Sequence, residues 1–585
     1  MLNLRNLLGF ACGAGALVIA MGAACAEDLV IKRFGGGNSA DAVGIADASE
    51  DVELTGPQAL TTGSDGDLFL LDQLNQRIVR FNPKRPAEDP SILEMPASVQ
   101  PNDLVVQKDE ILVWDGRIHT LKASADPVST RGVGGSTVRL EEVSTRAVDD
   151  IFATSAFAQM GSQPAGNPVD LLDQETRAVT IKKGRQPSRQ YVASRGRGSV
   201  IADVTPEKSD SSVLVEIRSM DGNDAVAQIH LRVKDKLGAV EFLEIDNSDR
   251  IYILAENVPD QAMNAATFVA RFSLNGDLDG IYELPLEDTP ITRRFVTVSG
   301  DGDVYFLRTQ KTGVDVVGVG FKPLRNAKVI EVRSRVQNAG NAPSSKFTAI
   351  AAVRPSNRQQ VIETAFAFEG LQWQVTAQNY GPDPDTACTG FSRIRRPWYM
   401  QGKIGQQVRG VPYCWGCYGS LANFQAQVQR GVKAGNVCTR NDPRNDVVGV
   451  DCSAFVSATW GLAVHYTTAA IPAITTPVSD PWQLRPGDAL NKPGSHVMLF
   501  LRFTPDRKAE VMESSTGGCN GRVCRNVYPL AALLARGYQP VRYKALADDN
   551  MVVAQGSLPG DQPDKGQKAE KDVAPVHSGR HRHKR

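Results

Sequence analysis

The stretch GVDCSAFVSATWG, residues 449–461, decides the fold of the last third of the chain. Its apolar positions from Phe455 to Leu462 recur at helical spacing, and Asp451 or Ser453 is a suitable cap just before them. The spacing therefore predicts that Cys452 lies at a helix N-terminus. Free amides and the helix dipole favour a thiolate there, and the same amides can stabilise an oxyanion. Cys452 is half of a disulfide, a buried small side chain or a nucleophile, and the rest of the sequence separates these options.

The first residues indicate the compartment. Arg5 precedes a small, apolar run over 7–24, and Ala24-Cys25-Ala26 supplies the small residues of a cleavage site. The alternative is a membrane anchor, but the apolar run is at the short limit for a span and ends in a cleavage pattern. We therefore expect a signal peptide over residues 1–26 and no transmembrane anchor. The mature protein is expected in the periplasm, outside the cell or at the cell wall, where disulfides form.

The cysteine count favours a free thiol. Of the nine cysteines, Cys12 and Cys25 leave with the signal peptide, and the remaining seven all lie in the last third of the chain. Seven is odd, so six can pair while one stays free. Cys519 and Cys524 flank a turn sequence, NGRV, and are the first pair we expect.

The Cys414-Trp-Gly-Cys417 stretch has three possible interpretations. It can be a redox pair, half of a zinc site or a structural disulfide. A disulfide suits an exported domain best, because no second pair of Cys or His ligands is evident. No metal or other cofactor is predicted.

The composition of the chain narrows the range of possible partners and folds. The chain has 585 residues with 65 basic and 65 acidic side chains, so its net charge gives no reason to expect nucleic acid as a partner. The 52 glycines favour many turns over long helical bundles. The mature length is sufficient for several domains.

Residues 27–330 alternate short β-like runs with Asp-Gly turns. Examples are residues 56–83, 240–256 and 294–309, each with a strand, an acidic turn and an aromatic or Leu-rich strand. The turns can also be read as calcium sites, but none has EF-hand spacing. Repeats of this size predict propeller blades. The first copy, with Pro57, DGDLFLLD and NQRIVRF, resembles an NHL-type repeat, which implies a β-propeller. An irregular insertion is expected near 125–200.

The remaining boundaries follow from composition. Residues 331–357 contain NAGNAPSS and are predicted to be a linker. Residues 358–546 are predicted to form one compact domain. Residues 547–585 are polar, charged and aperiodic, which predicts a disordered basic tail.

Two further stretches complete the candidate site. In LRPGDALNKPGSHVMLFLRF (484–503), His496 opens an apolar run that predicts a buried strand. The domain has one other histidine, His465, which we expect on a surface or loop. The next strand, AEVMESS (509–515), would bring Glu513 near His496 by antiparallel pairing. A carboxylate beyond an imidazole fixes its tautomer and steadies its charge. His496 can also be a structural strand histidine.

These motifs, DCSAFV, LRPGDAL and HVMLFL preceded by GVPYCWGC, resemble the NlpC-type cell-wall peptidases. The resemblance covers residues 358–546 and implies a papain-like α+β fold. The fold class implied for the whole chain is therefore a propeller-like all-β domain followed by an α+β cysteine peptidase domain. By this resemblance the catalytic residues are Cys452 as nucleophile, His496 as base and Glu513 as orienting group.

The resemblance also implies substrate contacts from Tyr413, Asp451 and Ser453. The chain departs from the family at three positions: Glu513 stands where His, Asn or Gln is common, and Ala454 and Cys417 replace glycines. The implied function is an exported peptidase for peptidoglycan stem peptides, cutting between γ-D-glutamate and the diamino acid. The alternatives are an amidase or acyltransferase with the same residues, and a propeller-based binding protein with an inactive peptidase domain. The propeller is expected to contact a protein or glycan.

Overall fold

The structure is a computed structural model that describes residues 27–46, 52–96, 99, 101–107, 110–114, 117–124, 136–147, 189–193, 200–219, 225–259, 265–286, 289–324, 327–332, 356–381, 395–438, 446–504 and 507–547. The expected signal peptide, nearly all of the expected linker and the expected tail from residue 548 onward lie outside these residues. Cys388 also lies outside them.

The N-terminal part of the described chain is built from strands. In chain order they are β1 (Leu29–Gly36), β2 (Ala42–Val43), β3 (Ala59–Thr62), β4 (Leu68–Asp72), β5 (Arg77–Phe81), β6 (Ser91–Glu94), β7 (Asp103–Gln107), β8 (Glu110–Trp114), β9 (Arg117–Ala123), β10 (Thr137–Ala147), β11 (Arg189–Ala193), β12 (Val200–Pro206), β13 (Ser212–Ser219), β14 (Ala225–Arg232), β15 (Lys236–Ile245), β16 (Ile251–Val258), β17 (Ala266–Phe272), β18 (Leu278–Glu283), β19 (Val296–Val298), β20 (Val304–Gln310), β21 (Gly313–Gly318) and β22 (Phe321–Pro323).

These strands form successive antiparallel meanders. The units are β3–β6, β7–β10, β11–β14, β15–β18 and β19–β21, and the last is extended by β1, which pairs antiparallel with β21. The first strands of neighbouring units are in contact: β3 touches β7 and β19, and β15 touches β11 and β19. The first strands thus follow one another in the order β7, β3, β19, β15 and β11, and an N-terminal strand completes the last unit, as in a β-propeller.

Asp-Gly and Asn-Gly turns connect strands within these units. Gly66 and Gly276 have φ values of 84° and 83°, a left-handed conformation that glycine adopts without steric cost. They lie in the β3–β4 and β17–β18 hairpins, and the Gly63 amide donates to the Asp67 carbonyl across the first turn, 2.8 Å apart. The turn signal in the sequence was therefore read correctly as hairpins.

Part of the stretch near 125–200 differs from the prediction of an irregular insertion. Residues 137–147 form β10, which pairs antiparallel with β9 and parallel with β6. Residues 189–193 form β11, an edge strand. Residues 141–145 of β10 are all exposed, so this strand has no alternation of apolar and polar residues that the sequence could reveal. The rest of the expected insertion lies outside the described residues.

The C-terminal part mixes helices and strands. In chain order its elements are β23 (Ser356–Asn357), α1 (Arg358–Gly370), β24 (Gln372–Gln374), α2 (Ala377–Tyr380), β25 (Gln407–Arg409), α3 (Leu421–Gln429), β26 (Lys433–Ala434), β27 (Val447–Val448), α4 (Cys452–Thr459), α5 (Ile471–Ile474), β28 (Thr475–Pro477), β29 (Ala489–Lys492), β30 (His496–Phe503), β31 (Ala509–Ser515), β32 (Arg522–Tyr528), α6 (Leu530–Ala535), β33 (Gln539–Tyr543) and β34 (Leu546–Ala547).

A six-stranded antiparallel sheet with the order β28-β33-β29-β30-β31-β32 is the frame of this part. Helix α4 packs against β30 and β31, and α1 packs against α4 and β32. The buried core between them includes Phe368 and Phe455, whose rings meet edge to face 5.7 Å apart. Helix α4 is therefore held between a sheet and a second helix, and it packs against the strand that begins at His496.

The two parts share an apolar interface. One buried cluster joins Val258 and Ala265 from the propeller strands to Leu490, Met498 and other residues of the C-terminal sheet. Polar groups cross the same boundary: the buried Glu256 carboxylate accepts from the Ala532 amide at the start of α6, 2.9 Å away. Burial of apolar surface on both sides fixes the parts relative to each other.

Within the described chain, the structure contains no helix of the length and apolar character needed to cross a membrane.

Candidate active site

Cys452 is the first residue of α4, as the helical spacing predicts. Asp451 precedes the helix with extended backbone angles, and its Oδ1 accepts from the Ala454 amide at 2.7 Å. Its Oδ2 accepts from the Gly416 amide at 2.9 Å. Asp451 is thus the N-cap of the helix and also ties the loop at Gly416 to the start of α4.

The cysteine pairing separates Cys452 from its neighbours. Cys414 pairs with Cys417, Cys519 pairs with Cys524, and Cys438 is also disulfide-bonded. Cys452 keeps its thiol and is fully buried. Both disulfides expected from the sequence are therefore present, and among the described cysteines Cys452 is the one left as a thiol.

His496 and Glu513 form a buried pair on neighbouring strands. His496 begins β30 and Glu513 lies near the end of β31, with the Nε2 and Oε2 atoms 2.6 Å apart. Both side chains are almost completely buried. Because Nε2 contacts the carboxylate, Nδ1 is the ring nitrogen left to exchange a proton with another group.

Two further donors hold the Glu513 carboxylate. Asn526 Nδ2 and the Tyr528 hydroxyl each donate to Oε1, both at 2.7 Å. On β32 these residues are two apart, so they share one face, and Cys524 on that face pairs directly with Glu513. Three groups therefore fix the carboxylate in one orientation.

The electrostatics favour the charged form of both partners. Burial lowers the pKa of His496, but the hydrogen bond and negative charge of Glu513 outweigh it, so the pKa lies above its ordinary value of 6.5. Burial raises the pKa of Glu513, and the bonds from His496, Tyr528 and Asn526 outweigh it, so that pKa lies below 4.5. The pair therefore stabilises the imidazolium that forms when His496 takes up a proton.

The pair lies beside the start of α4. This helix packs against both strands that carry the pair. Ser514, next to Glu513 in sequence, donates to the carbonyl of Val450, two residues before Cys452, over 2.8 Å. The three residues expected to be catalytic are thus brought to one region, although they come from a helix and two strands.

His465 lies on a different side of the helix start. Its Nε2 is 2.6 Å from Ser453 Oγ and 3.4 Å from Asp451 Oδ1, and its ring stacks on Tyr418. Ser453 donates its hydroxyl hydrogen to Asp451, so the His465 Nε2 must be the donor in its contact with Ser453. His465 was expected on a surface or loop. It lies in a loop and is mostly buried.

The three residues expected to contact substrate differ in position. Tyr413 lines a narrow cleft together with His496 and Glu513. Asp451 and Ser453 do not line it: both are buried and bonded to each other. The structure therefore brings Tyr413 to the cleft, whereas Asp451 and Ser453 lie at the start of α4 and do not line it.

The propeller supplies the opposite wall of the cleft. Residues 52–55, Gln58 and Ile291 line it. Within this wall, Glu53 is bonded to Lys492 at 3.2 Å and to the Tyr538 hydroxyl at 3.1 Å. The Glu53 charge is also close enough to His496 to raise the pKa of that ring. The cleft thus lies at the boundary between the two parts.

The sequence did not single out Asn526, Tyr528 or Glu53. For Asn526 and Tyr528 a signal was present: in RVCRNVY the alternation places both on one face of a strand. Glu53 gave no signal, because its proximity to His496 depends on how two distant parts of the chain pack.

The described part of the chain contains no group of three or more His, Cys, Asp or Glu side chains that could hold a metal ion.

No protein-family model matches the chain, and no curated protein matches it. Among solved structures, a streptogramin B lyase is 10% identical, with a TM-score of 0.20, and the match covers 50% of this chain and 98% of that one. A catalytically inactive virginiamycin B lyase from Staphylococcus aureus, crystallised with quinupristin, is 11% identical, with a TM-score of 0.20 and coverage of 50% and 99%. The β-propeller domain of Cps50 (Swd1) from Myceliophteria thermophila is 7% identical, with a TM-score of 0.19 and coverage of 50% and 99%.

These neighbours are β-propeller proteins over about half the chain. The resemblance to NlpC-type peptidases rests on the sequence motifs.

Proposed function

We propose that the protein is an exported cysteine peptidase that hydrolyses peptidoglycan stem peptides. The observation that carries the proposal is the buried His496–Glu513 pair next to the helix that begins at the Cys452 thiol. A thiol, an imidazole and a fixed carboxylate are the components of nucleophilic acyl transfer.

The chemistry follows from the positions of these groups. His496 Nδ1 takes the proton of the Cys452 thiol, and Glu513 stabilises the resulting imidazolium through Nε2. The thiolate attacks the acyl carbon of the peptide, and amides at the start of α4 stabilise the oxyanion. The imidazolium then gives its proton to the leaving amine, and a water molecule that His496 deprotonates hydrolyses the thioester. No metal or other cofactor takes part in these steps.

The shape of the cleft supports a small substrate. Because residues 52–55 of the propeller form one wall, a released peptide has easier access than a strand of intact wall. In the proposed pose, Asp451 pairs with the free L-alanine amine, and the bond between γ-D-glutamate and the diamino acid meets Cys452. Tyr413 lies over the reacting end, and Ser453 holds the Asp451 carboxylate.

One observation favours a second candidate. Cys452 is fully buried and does not line the cleft, which fits a propeller-based binding protein whose peptidase domain is inactive. An amidase or an acyltransferase would use the same residues as a peptidase.

The experiment is mass spectrometry of products formed from the tripeptide L-Ala-γ-D-Glu-diamino acid, the same peptide acylated at its amine, and sugar-linked stems. The proposal predicts that the mature protein releases L-Ala-γ-D-Glu from the free tripeptide and that Cys452→Ala releases none. Release of intact stems from sugar would indicate an amidase, and equal inactivity of both proteins on every substrate would favour the binding protein.

A further inference from the structure

A hydrogen-bonded chain leads from the propeller to the His496 ring. Arg293, in the loop before β19, donates from Nη1 to Asn526 Oδ1 over 2.8 Å. Asn526 Nδ2 donates to Glu513 Oε1 over 2.7 Å. Glu513 Oε2 lies 2.6 Å from His496 Nε2. Each link in this chain is buried or partly buried, so solvent does not compete with it.

The chemistry of the groups fixes the direction of the Asn526 amide. An arginine guanidinium can only donate hydrogen bonds, so the atom that it contacts must be the amide oxygen. The amide nitrogen must then face Glu513, where an ionised carboxylate can only accept. The other neighbours of Nδ2 are also acceptors: the Gly518 carbonyl at 3.2 Å and the sulfur atoms of the Cys519–Cys524 disulfide. If the amide were flipped, its oxygen would face the Glu513 carboxylate, and two acceptors cannot form a hydrogen bond with each other.

Two side chains of the propeller contact the Arg293 guanidinium. Its guanidinium lies over the ring of Trp114 at 4.1 Å, and its Nε is 3.8 Å from the buried Asp103 carboxylate. The neighbouring Arg294 makes a two-pronged pair with Asp103, at 3.0 and 3.2 Å. A stacked and paired guanidinium has few alternative rotamers, so its direction toward Asn526 is set by the propeller.

We propose that Arg293 is a positioning residue: the propeller, through the Asn526 amide, keeps the Glu513 carboxylate in the orientation that supports His496 in the C-terminal part. This inference rests on the proposed function, because it assigns a role in the same site. On this proposal the propeller takes part in catalysis, in addition to any role that it has in binding a partner.

The test compares Arg293→Met with the matched control Arg294→Met. Both variants remove a partly buried guanidinium next to Asp103, but only Arg293 of the two donates to Asn526 in the structure. We measure kcat and KM on the free tripeptide, and the pH midpoint at which iodoacetamide begins to alkylate Cys452. Only the thiolate reacts with iodoacetamide, so the pH midpoint of alkylation reports the pKa of the Cys452 thiol. In the proposed site that pKa is lower when the carboxylate stabilises the imidazolium of His496.

Arg293→Met should lower kcat by about tenfold with KM nearly unchanged, because Arg293 does not touch substrate. It should also move the alkylation midpoint toward the ordinary thiol value. Arg294→Met should leave the midpoint in place, and Arg293→Lys, which keeps a charged donor, should recover most of the activity.

A double-mutant cycle with Asn526→Ala decides whether Arg293 acts through the amide. If it does, adding Arg293→Met to Asn526→Ala changes the midpoint no further. Additive shifts, or equal shifts from Arg293→Met and Arg294→Met, would overturn the proposal and indicate a merely structural role. Should Arg293→Met fail to fold, Arg293→Gln, which removes the charge, is compared in the two Asn526 backgrounds instead. If no peptide is cleaved, the proposed function fails, and the alkylation midpoints still decide the proposal on Arg293.

Discussion

Two histidine clusters flank the start of α4, and they differ in the carboxylate that each histidine meets. The His496 cluster consists of His496, Glu513, Asn526 and Tyr528, and its carboxylate has three side-chain donors. The His465 cluster consists of His465, Asp451, Ser453 and Tyr418, and its carboxylate caps the helix. His496 is the proposed base because the Glu513 carboxylate has no role in a helix cap, whereas the Asp451 carboxylate beside His465 is engaged by the helix start.

The orientations of the His496 and His465 rings also distinguish the two clusters. His496 uses Nε2 for its carboxylate and keeps Nδ1 for proton exchange. His465 uses Nε2 as a donor to Ser453, whose own hydrogen goes to Asp451. His465 therefore serves the helix start as a structural donor, whereas His496 has the arrangement of a general base.

The largest expected effect separates the two histidines. His496→Ala should lower kcat on the free tripeptide by about 10³-fold, since no other group takes the thiol proton. His465→Ala should retain activity within about tenfold, because it loses one hydrogen bond at the helix start. Steady-state kinetics of the two variants checks this. Equal losses would show that the distinction between the clusters is wrong.

The next largest effect is expected from a change of Glu513, the carboxylate that contacts His496. Glu513→Gln should lower kcat by roughly 10²-fold and shift the alkaline limb of the pH profile to lower pH. The reason is that Glu513 holds the pKa of His496 above its ordinary value of 6.5. The measurement is kcat/KM between pH 4 and 10. An unshifted alkaline limb in the variant would mean that another group supports the ring.

A smaller effect concerns Asp451 in the other cluster. Asp451→Asn keeps a side chain that caps helices well but loses the charge that would pair with a substrate amine. On the free tripeptide it should raise KM and lower kcat, each about fivefold, because a remote contact orients the reacting carbon. The control is Ser453→Ala, which keeps the carboxylate. Undiminished cleavage of the amine-acylated peptide by the unmodified protein would rule out the pairing.

The smallest effect is on stability. The raised pKa of His496 adds stability that is full below pH 6.5 and is lost as pH rises through the folded-state value. The lowered pKa of Glu513 adds stability that is full above pH 4.5 and is lost as pH falls through its folded-state value.

The melting temperature of the unmodified protein should therefore exceed that of Glu513→Gln by the largest margin, about 3 °C, between pH 4.5 and 6.5. A difference in melting temperature that does not change with pH would contradict the charged pair.

The sequence predicted the parts of the site that depend on local pattern. The helix at Cys452, the strand at His496 and the Cys519–Cys524 disulfide all follow from spacing and turn residues within short segments. The propeller units were visible for the same reason, since each hairpin has its own turn.

The parts that were not predicted depend on register and on packing between distant segments. Asn526 meets Glu513 because β32 pairs with β31 in one register, which the sequence leaves open. Glu53 and Arg293 reach the site from the propeller, more than 200 residues away in the chain. Such contacts form only when two cores dock, so no local pattern encodes them. The strand β10 has no apolar alternation because residues 141–145 are all exposed.

The central claim is that Cys452 shares its proton with His496 and not with His465. The most direct measurement is the pH dependence of Cys452 alkylation by iodoacetamide in the unmodified protein, His496→Ala and His465→Ala, with peptide mapping to confirm the site. We predict that the unmodified protein and His465→Ala react with the same acidic midpoint, and that in His496→Ala the midpoint rises to about 8.5 or above, the value of an unsupported thiol. An unchanged midpoint in His496→Ala, or the same rise in His465→Ala, would contradict the claim.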